Sequence, residues 1–163
     1  DVIFGQATCA KEIYEKKNNL DYIICPVGGG GLASGTILST NIFSPKTKVI
    51  LAEPLNANDA YQSFYSKKLI PVVEPDTIAD GLKTSLGEKT FKIILDGAEE
   101  ILTVTEEEIT ESMKLIWERM KVICEPSSSL PLAVILKNPK KFKNKSIGII
   151  LTGGNVDLKN LPF

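Results

Sequence analysis

Histidine is absent from the 163 residues, which removes Ser-His-Asp and Cys-His nucleophile arrangements and every zinc site that needs imidazole. Any chemistry must come from carboxylates, lysines, backbone amides or a borrowed cofactor. Cysteine is scarce: Cys9, Cys25 and Cys124 are odd in number, widely separated and form no Cys-x-x-Cys pair. They read as reduced thiols of an intracellular, cytoplasmic protein, with Cys25 a small core residue inside an apolar run. Neither sign of charge is in excess, since 19 Lys plus Arg against 20 Asp plus Glu leave −1, and no field draws in nucleic acid or an anionic bilayer. No apolar run approaches the roughly 18 residues of a membrane span. The opening Asp1-Val2-Ile3-Phe4 has neither a basic region nor an initiating methionine, so residue 1 is not expected to be the natural start. Repeats and low-complexity tracts are missing as well. The one charge run, Lys137, Lys140, Lys141, Lys143 and Lys145, has only Phe142 among it and reads as a solvated connector.

What is present is enough apolar material, 43% of the residues, for the core of one domain spanning 1–163. Short apolar runs bounded by turn residues alternate with stretches long enough for helices. Tyr22–Val27, Lys48–Ala52 and Ser146–Leu151 are expected strands, with a further short one at Ile101–Val104. This pattern predicts an α/β fold: a three-layer, open, mostly parallel sheet with helices on both faces. Leu32 to about Ile42 is expected to be helical, with Gly35 tolerated in its interior at a cost of about 1 kcal/mol because something packs close there. Thr105 and Glu108 form a capping box for a helix whose apolar positions are Ile109, Met113, Ile116, Trp117 and Met120. Ser127 or Ser128 is expected to cap another helix through Leu132, Val134 and Leu136. Lys67–Glu100, broken by two prolines and three glycines, reads as loops with one short helix near Ala79–Ser85.

Residues able to carry chemistry cluster just after the strands, where ligands of open α/β sheets collect. Gly28, Gly29, Gly30 and Gly31 follow a strand and lead into a helix, so several N–H groups and the positive helix end converge on one point. A phosphate-bearing ligand is one tenant and a plain tight turn the other reading; no Gly-Lys-Ser/Thr follows, which argues against ATP hydrolysis. Glu53 and Asp59, with the carbonyl of Ala57 between them, are hard oxygen ligands suited to magnesium or calcium, or else a solvent-exposed pair that caps a helix. Thr152, Gly153, Gly154 and Asn155 end the last strand, where a hydroxyl is placed to bond a heteroaromatic ring. Asp80 with Gly81, and Glu125 with Pro126 and Ser127, fit either a carboxylate that tunes a ring or ordinary caps and turns.

Taken in order, Pro26-Val-Gly-Gly-Gly-Gly31, Ala52-Glu-Pro-Leu-Asn-Ala-Asn-Asp59, Thr77-Ile-Ala-Asp-Gly81, Trp117-Glu-Arg-Met120 with Glu125-Pro-Ser127, and Leu151-Thr-Gly-Gly-Asn-Val-Asp157 resemble the serine racemase and threonine/serine dehydratase family. These are fold-type-II enzymes dependent on pyridoxal phosphate. The likeness spans the chain and implies that it is the C-terminal, mostly large-domain portion of such an enzyme. It implies that Gly28, Gly29, Gly30 and Gly31 cradle the cofactor phosphate, and that Thr152 meets the pyridine nitrogen where the family more often has serine, leaving that nitrogen largely unprotonated. It implies that Gly81 lies beside the cofactor and Glu125 near its ring, and that Glu53, the carbonyl of Ala57 and Asp59 hold a divalent cation, magnesium, manganese or calcium. The Glu-Pro-x-Asn-Ala-x-Asp pattern leans toward the racemase branch. No catalytic residue is assigned here: the Schiff-base lysine and the opposite-face serine match no position in this sequence, so the chain alone is expected to be catalytically incomplete.

For the complete enzyme the resemblance implies proton abstraction from the α-carbon of a small amino acid such as L-serine, L-threonine or D-serine. Elimination of the β-hydroxyl then yields a 2-oxo acid and ammonia, or reprotonation racemises the substrate. It also implies a homodimer, with ATP a candidate effector. Two rival readings stand beside it: a β-replacing synthase of the same fold, and a non-catalytic αβ module that has kept the fold.

Overall fold

The computed structural model describes residues 1–163. Four parallel strands, β1 (Tyr22–Pro26), β2 (Lys48–Pro54), β3 (Glu100–Val104) and β4 (Ile147–Ile149), lie in the order β3-β2-β1-β4. Seven helices complete the fold: α1 (Val2–Lys16), α2 (Gly31–Phe43), α3 (Asp59–Ser66), α4 (Glu88–Gly97), α5 (Glu106–Met120), α6 (Pro126–Lys137) and α7 (Pro139–Phe142).

The strand side chains alternate between two cores, as the period of two requires. Ile23, Cys25, Val49, Leu51 and Ile101 face one side, where Ala10 and Tyr14 of α1, Ile37 of α2 and Ile94 of α4 cover them. Ile24, Ile50, Ala52 and Val104 face the other, beneath Ile109 of α5, Leu130 and Val134 of α6, and Phe142 of α7. Both faces are therefore dry, and the strands read as nearly continuous apolar runs. Desolvation pushes the Cys25 thiol up to about 12, so it behaves as a core residue.

The expected three-layer architecture and its strands are observed, with β2 running on to Pro54 and β4 shortened to Ile147–Ile149. The helices differ in three places. Residues 67–100 are mostly loop, as expected, but their helix lies elsewhere: only a single 3-10 turn, Asp80–Leu82, stands near Ala79–Ser85, whereas α4 occupies Glu88–Gly97. Its amphipathic set, Phe91, Ile94 and Ile93, packs on the first core and outweighs the surrounding breakers. Helix α6 begins at Pro126 with Glu125 as its N-cap, not at Ser127 or Ser128, because proline's fixed φ suits the first helical position. On α5, Ile109, Met113 and Ile116 are buried as expected, but Met120 is exposed at the helix end. The α5 capping box itself is formed: Thr105 Oγ1 accepts from the Glu108 N–H, and Glu108 Oε2 accepts from the Thr105 N–H.

Helix α1 packs directly on α2, backbone against backbone. A Cβ on Gly35 would lie 2.6 Å from the Ala7 nitrogen and 2.7 Å from the Ile3 carbonyl oxygen, which accounts for a glycine inside a helix.

Candidate functional site

The strand order fixes where a ligand belongs. The chain moves from β1 outward through β2 to β3, then returns to place β4 on the other side of β1. The segments leaving the carboxyl ends of β1 and β4 therefore diverge, and a crevice opens between them. The Gly28–Gly31 loop leaves β1 on one side and Thr152 follows β4 on the other, and both line a cavity of about 390 Å³. Gly81, Leu82, Glu125 and Ser127 close its floor, while Gln6 and Cys9 of α1 form part of its wall.

The glycine loop has the form of an anion cradle. Val27 N–H donates to the Ala52 carbonyl and Ser34 N–H to the Gly30 carbonyl, whereas the N–H groups of residues 28–33 between them meet no backbone acceptor. The first turn of α2 adds its positive end to these free donors. Gly30 is confined to glycine on two grounds. Its φ is 83°, and a Cβ there would lie 2.7 Å from Thr90 Cβ.

At the opposite end, the Thr152 hydroxyl lies 3.0 Å from that of Ser128. Glu125 Oε2 accepts from the Asn155 N–H at 3.1 Å, which holds the carboxylate against the segment after β4. Ser127 is 2% exposed, yet its hydroxyl has no partner within the chain. It lies 3.1 Å from the point where a Cβ on Gly81 would stand, so a side chain at position 81 would press on that hydroxyl. A buried hydroxyl without a partner, on a residue of the cavity wall, is a candidate polar contact for a ligand. The unbonded amide cradle, the cavity's size and the hydroxyl at its far end together fit a phosphorylated heteroaromatic cofactor.

Glu53 and Asp59 stand apart from this cavity, around the 3-10 turn Leu55–Ala57. Glu53 is 1% exposed; its Oε1 accepts from the Ala60 N–H at 2.8 Å and its Oε2 from the Tyr61 N–H at 2.7 Å. It does cap α3, but neither it nor Asp59 is solvent-exposed, contrary to that part of the helix-cap reading. Asp59 Oδ2 faces the Leu86 N–H at 3.4 Å. Burial pushes the Glu53 carboxyl up to about 8 and raises that of Asp59 too, because no Lys or Arg pairs with either. No group of three or more His, Cys, Asp or Glu side chains with metal-ligand geometry is present. Two buried carboxyl groups and the Ala57 carbonyl are hard oxygen donors, and a divalent cation held between them would offset the burial that favours the protonated carboxyls.

Sequence reasoning missed Gln6, Cys9 and Thr90. The signal for α1 was available in the spacing of Ile3, Ala7, Ala10 and Tyr14, but exposed Val2 and Phe4 obscure it. Thr90 belongs to α4, which the surrounding breakers hid.

Comparison with known proteins agrees with this geometry. The model of the family described as "Pyridoxal-phosphate dependent enzyme" matches residues 1–153. A beta-hydroxyaspartate dehydratase of Paracoccus denitrificans is 48% identical over 162 residues, covering 99% of this chain and 51% of that protein. The crystal structure of serine racemase from Dictyostelium discoideum is 50% identical with a TM-score of 0.88, covering 96% of this chain and 51% of that one. Maize serine racemase gives 38% identity and a TM-score of 0.91, with 96% and 49% covered. The chain thus spans about half the length of the relatives it matches. No helix is long and apolar enough to cross a membrane. Because the match runs through the glycine cradle, the carboxylate turn and the strand end that frames the crevice, the chain belongs to the pyridoxal-phosphate dependent enzymes.

Proposed function

We propose that this chain supplies the cofactor-holding half of an enzyme that removes water and ammonia from small β-hydroxy-α-amino acids, or racemises them. The observation that carries the reading is the crevice between β1 and β4, bounded by an amide cradle at one end and the Thr152 hydroxyl at the other. Pyridoxal phosphate, when bound, supplies an electron sink for the charge left on the α-carbon.

The chain's own residues bind and orient. The N–H groups of Gly28, Gly29, Gly30 and Gly31 hold the phosphate. Thr152 addresses the ring nitrogen, and Glu125 and Gly81 flank the ring, with the Ser127 hydroxyl available to a polar substituent. No lysine lines the cavity, so the group that bonds the cofactor and takes the α-proton is not contributed by these residues. Serine or threonine would yield pyruvate or 2-oxobutanoate plus ammonia, and the names of the dehydratase and ammonia-lyase relatives extend the class to 3-hydroxyaspartate.

Glu53, the Ala57 carbonyl and Asp59 hold magnesium, manganese or calcium in this reading, which stabilises the turn leading into α3. The family likeness further suggests a homodimer and an ATP effector, and the three free thiols accord with a reducing cytoplasm.

The test is expression of the full-length protein with pyridoxal phosphate. The assays are 2-oxo acid and ammonia release from L-serine, L-threonine and 3-hydroxyaspartate, and chiral analysis of recovered serine. Product from at least one substrate is expected. Failure to bind the cofactor would leave only the non-catalytic module, and product formed only with an added thiol would indicate the β-replacing synthase.

A further inference from the structure

Ser128 is fully buried on the first turn of α6, and its hydroxyl oxygen has four polar neighbours. The N–H of Thr152 donates to it at 3.0 Å and the N–H of Gly153 at 2.7 Å. The Gly153 carbonyl oxygen lies 2.7 Å away and the Thr152 hydroxyl 3.0 Å away. A hydroxyl offers one proton and two lone pairs. The two amide donors take both lone pairs, so Ser128 can only donate its single proton, either to the Gly153 carbonyl or to Thr152 Oγ1.

On either choice Ser128 cannot accept the proton of Thr152. No other group in the chain accepts it, since the remaining hydrogen bond of Thr152 is made by its backbone N–H. That proton is therefore left for whatever occupies the cavity that Thr152 lines. A ring nitrogen with a free lone pair satisfies it. A protonated ring nitrogen would itself need an acceptor there and would leave the Thr152 proton unpaired once the cavity is filled, a cost that buried polar groups avoid.

We propose that Ser128 is a positioning residue which makes the Thr152 hydroxyl an obligate donor toward the ring nitrogen of bound pyridoxal phosphate and so keeps that nitrogen neutral. The inference rests on the cofactor reading above and adds a residue to it. Ser128 touches no ligand; it acts by occupying its own acceptor sites with the backbone that carries Thr152.

The experiment uses the full-length holoenzyme reconstituted with pyridoxal phosphate labelled with nitrogen-15 in the ring. The ring-nitrogen NMR shift and the cofactor Kd are measured for wild type, Thr152→Val, Ser128→Ala, Ser128→Cys and the Ser128→Ala/Thr152→Val double variant. Ser128→Cys keeps the volume and replaces oxygen with a weak acceptor, and it carries the test if Ser128→Ala does not fold by circular dichroism. The expected wild-type signal is that of a neutral, hydrogen-bonded nitrogen. Thr152→Val should move it toward a neutral nitrogen without a donor, and each Ser128 variant should do the same because the Thr152 and Gly153 N–H groups lose the acceptor that fixes Thr152 in place, with cofactor binding weakened about tenfold, the scale of one buried hydrogen bond. The double variant should bind no worse than Thr152→Val alone, because the two residues act through one contact.

A protonated nitrogen in wild type overturns the inference, as do Ser128 variants with the wild-type shift or losses that simply add. If Thr152→Val changes neither readout, Thr152 does not meet the ring, and the reading beneath the inference fails with it.

Discussion

Thr90 Oγ1 lies 2.9 Å from the carbonyl oxygen of Gly29, joining the first turn of α4 to the glycine cradle 61 residues earlier. The same hydroxyl accepts from the Gly87 N–H at 3.0 Å and lies 2.9 Å from the Gly87 carbonyl, so its one proton is shared between two carbonyls. One side chain thus caps a helix and steadies the loop proposed to hold phosphate. Thr90→Val keeps the shape and deletes the hydroxyl. It should cost about 1 kcal/mol in urea unfolding and weaken cofactor binding, whereas Thr90→Ser should retain both properties. Equal cofactor Kd values for Thr90→Val and wild type would show that the cradle does not depend on this tie.

Two glycines give opposite expectations for the same substitution. Gly30 has φ 83°, and an alanine methyl there would stand 2.7 Å from Thr90 Cβ, so Gly30→Ala should destabilise by about 1–3 kcal/mol. Gly5 lies inside α1 with nothing within 4 Å of the corresponding position, so Gly5→Ala should stabilise by about 0.5–1 kcal/mol. Paired denaturation curves decide the matter, and similar midpoints for the two variants would mean that neither the backbone conformation nor the Thr90 contact requires glycine at position 30.

Most of the sheet and the order of its ligand-bearing turns could be read from the sequence, because both-face burial turns Tyr22–Val27 and Lys48–Ala52 into uninterrupted apolar runs. Helix α4 was hidden for a related reason. Its stability comes from packing Phe91 and Ile94 on the first core, while the local signals around it are glycine, proline and charge. The site divides in the same way. Glycine loops announce themselves through composition, but the unpaired state of Ser127 and the filled lone pairs of Ser128 depend on what α6 meets after β4, a contact between residues more than 20 positions apart.

Asp21 supplies the acid limb of stability. Its Oδ2 accepts from the Ser146 N–H at 2.8 Å and its Oδ1 from Lys145 Nζ at 3.2 Å, and these contacts, the backbone one first, hold its carboxyl below the usual range. A depressed folded value means that the unfolded chain binds the proton more readily. The contribution is therefore present above the ordinary aspartate value of about 3.9 and is lost as pH falls through the folded value. Asp21→Asn should lower Tm relative to wild type at pH 7, with the difference vanishing as pH drops below about 4. A Tm gap that persists unchanged in strong acid would remove charge from the explanation.

Glu53 and Asp59 test the cation reading. After chelator treatment, millimolar magnesium or manganese should raise the Tm of wild type, since a ligand that binds only the folded state stabilises it. Asp59→Asn replaces a carboxylate oxygen ligand with a neutral amide and should abolish most of that rise while the fold persists, because its one backbone contact, with the Leu86 N–H, is long at 3.4 Å. Absence of any shift in wild type would leave Glu53 with a single role, capping α3 through the Ala60 and Tyr61 N–H groups.

Cys9 offers a footprint of the cavity that does not depend on turnover. It lines the cavity and is half-buried, whereas Cys25 and Cys124 are buried. Burial, with a smaller contribution from the charge of Glu12, raises its thiol above the ordinary range, so alkylation at neutral pH should be slow and should accelerate with pH as the thiolate forms. Peptide mass mapping of the native full-length protein should find Cys9 labelled first among these three, and Cys25 labelled only after unfolding. Saturating pyridoxal phosphate should slow the labelling of Cys9 without changing that of Cys124. If the cofactor binds and Cys9 labels at an unchanged rate, the ligand does not fill the side of the crevice that α1 walls, and the proposed pose of the cofactor against Gly28–Gly31 is wrong.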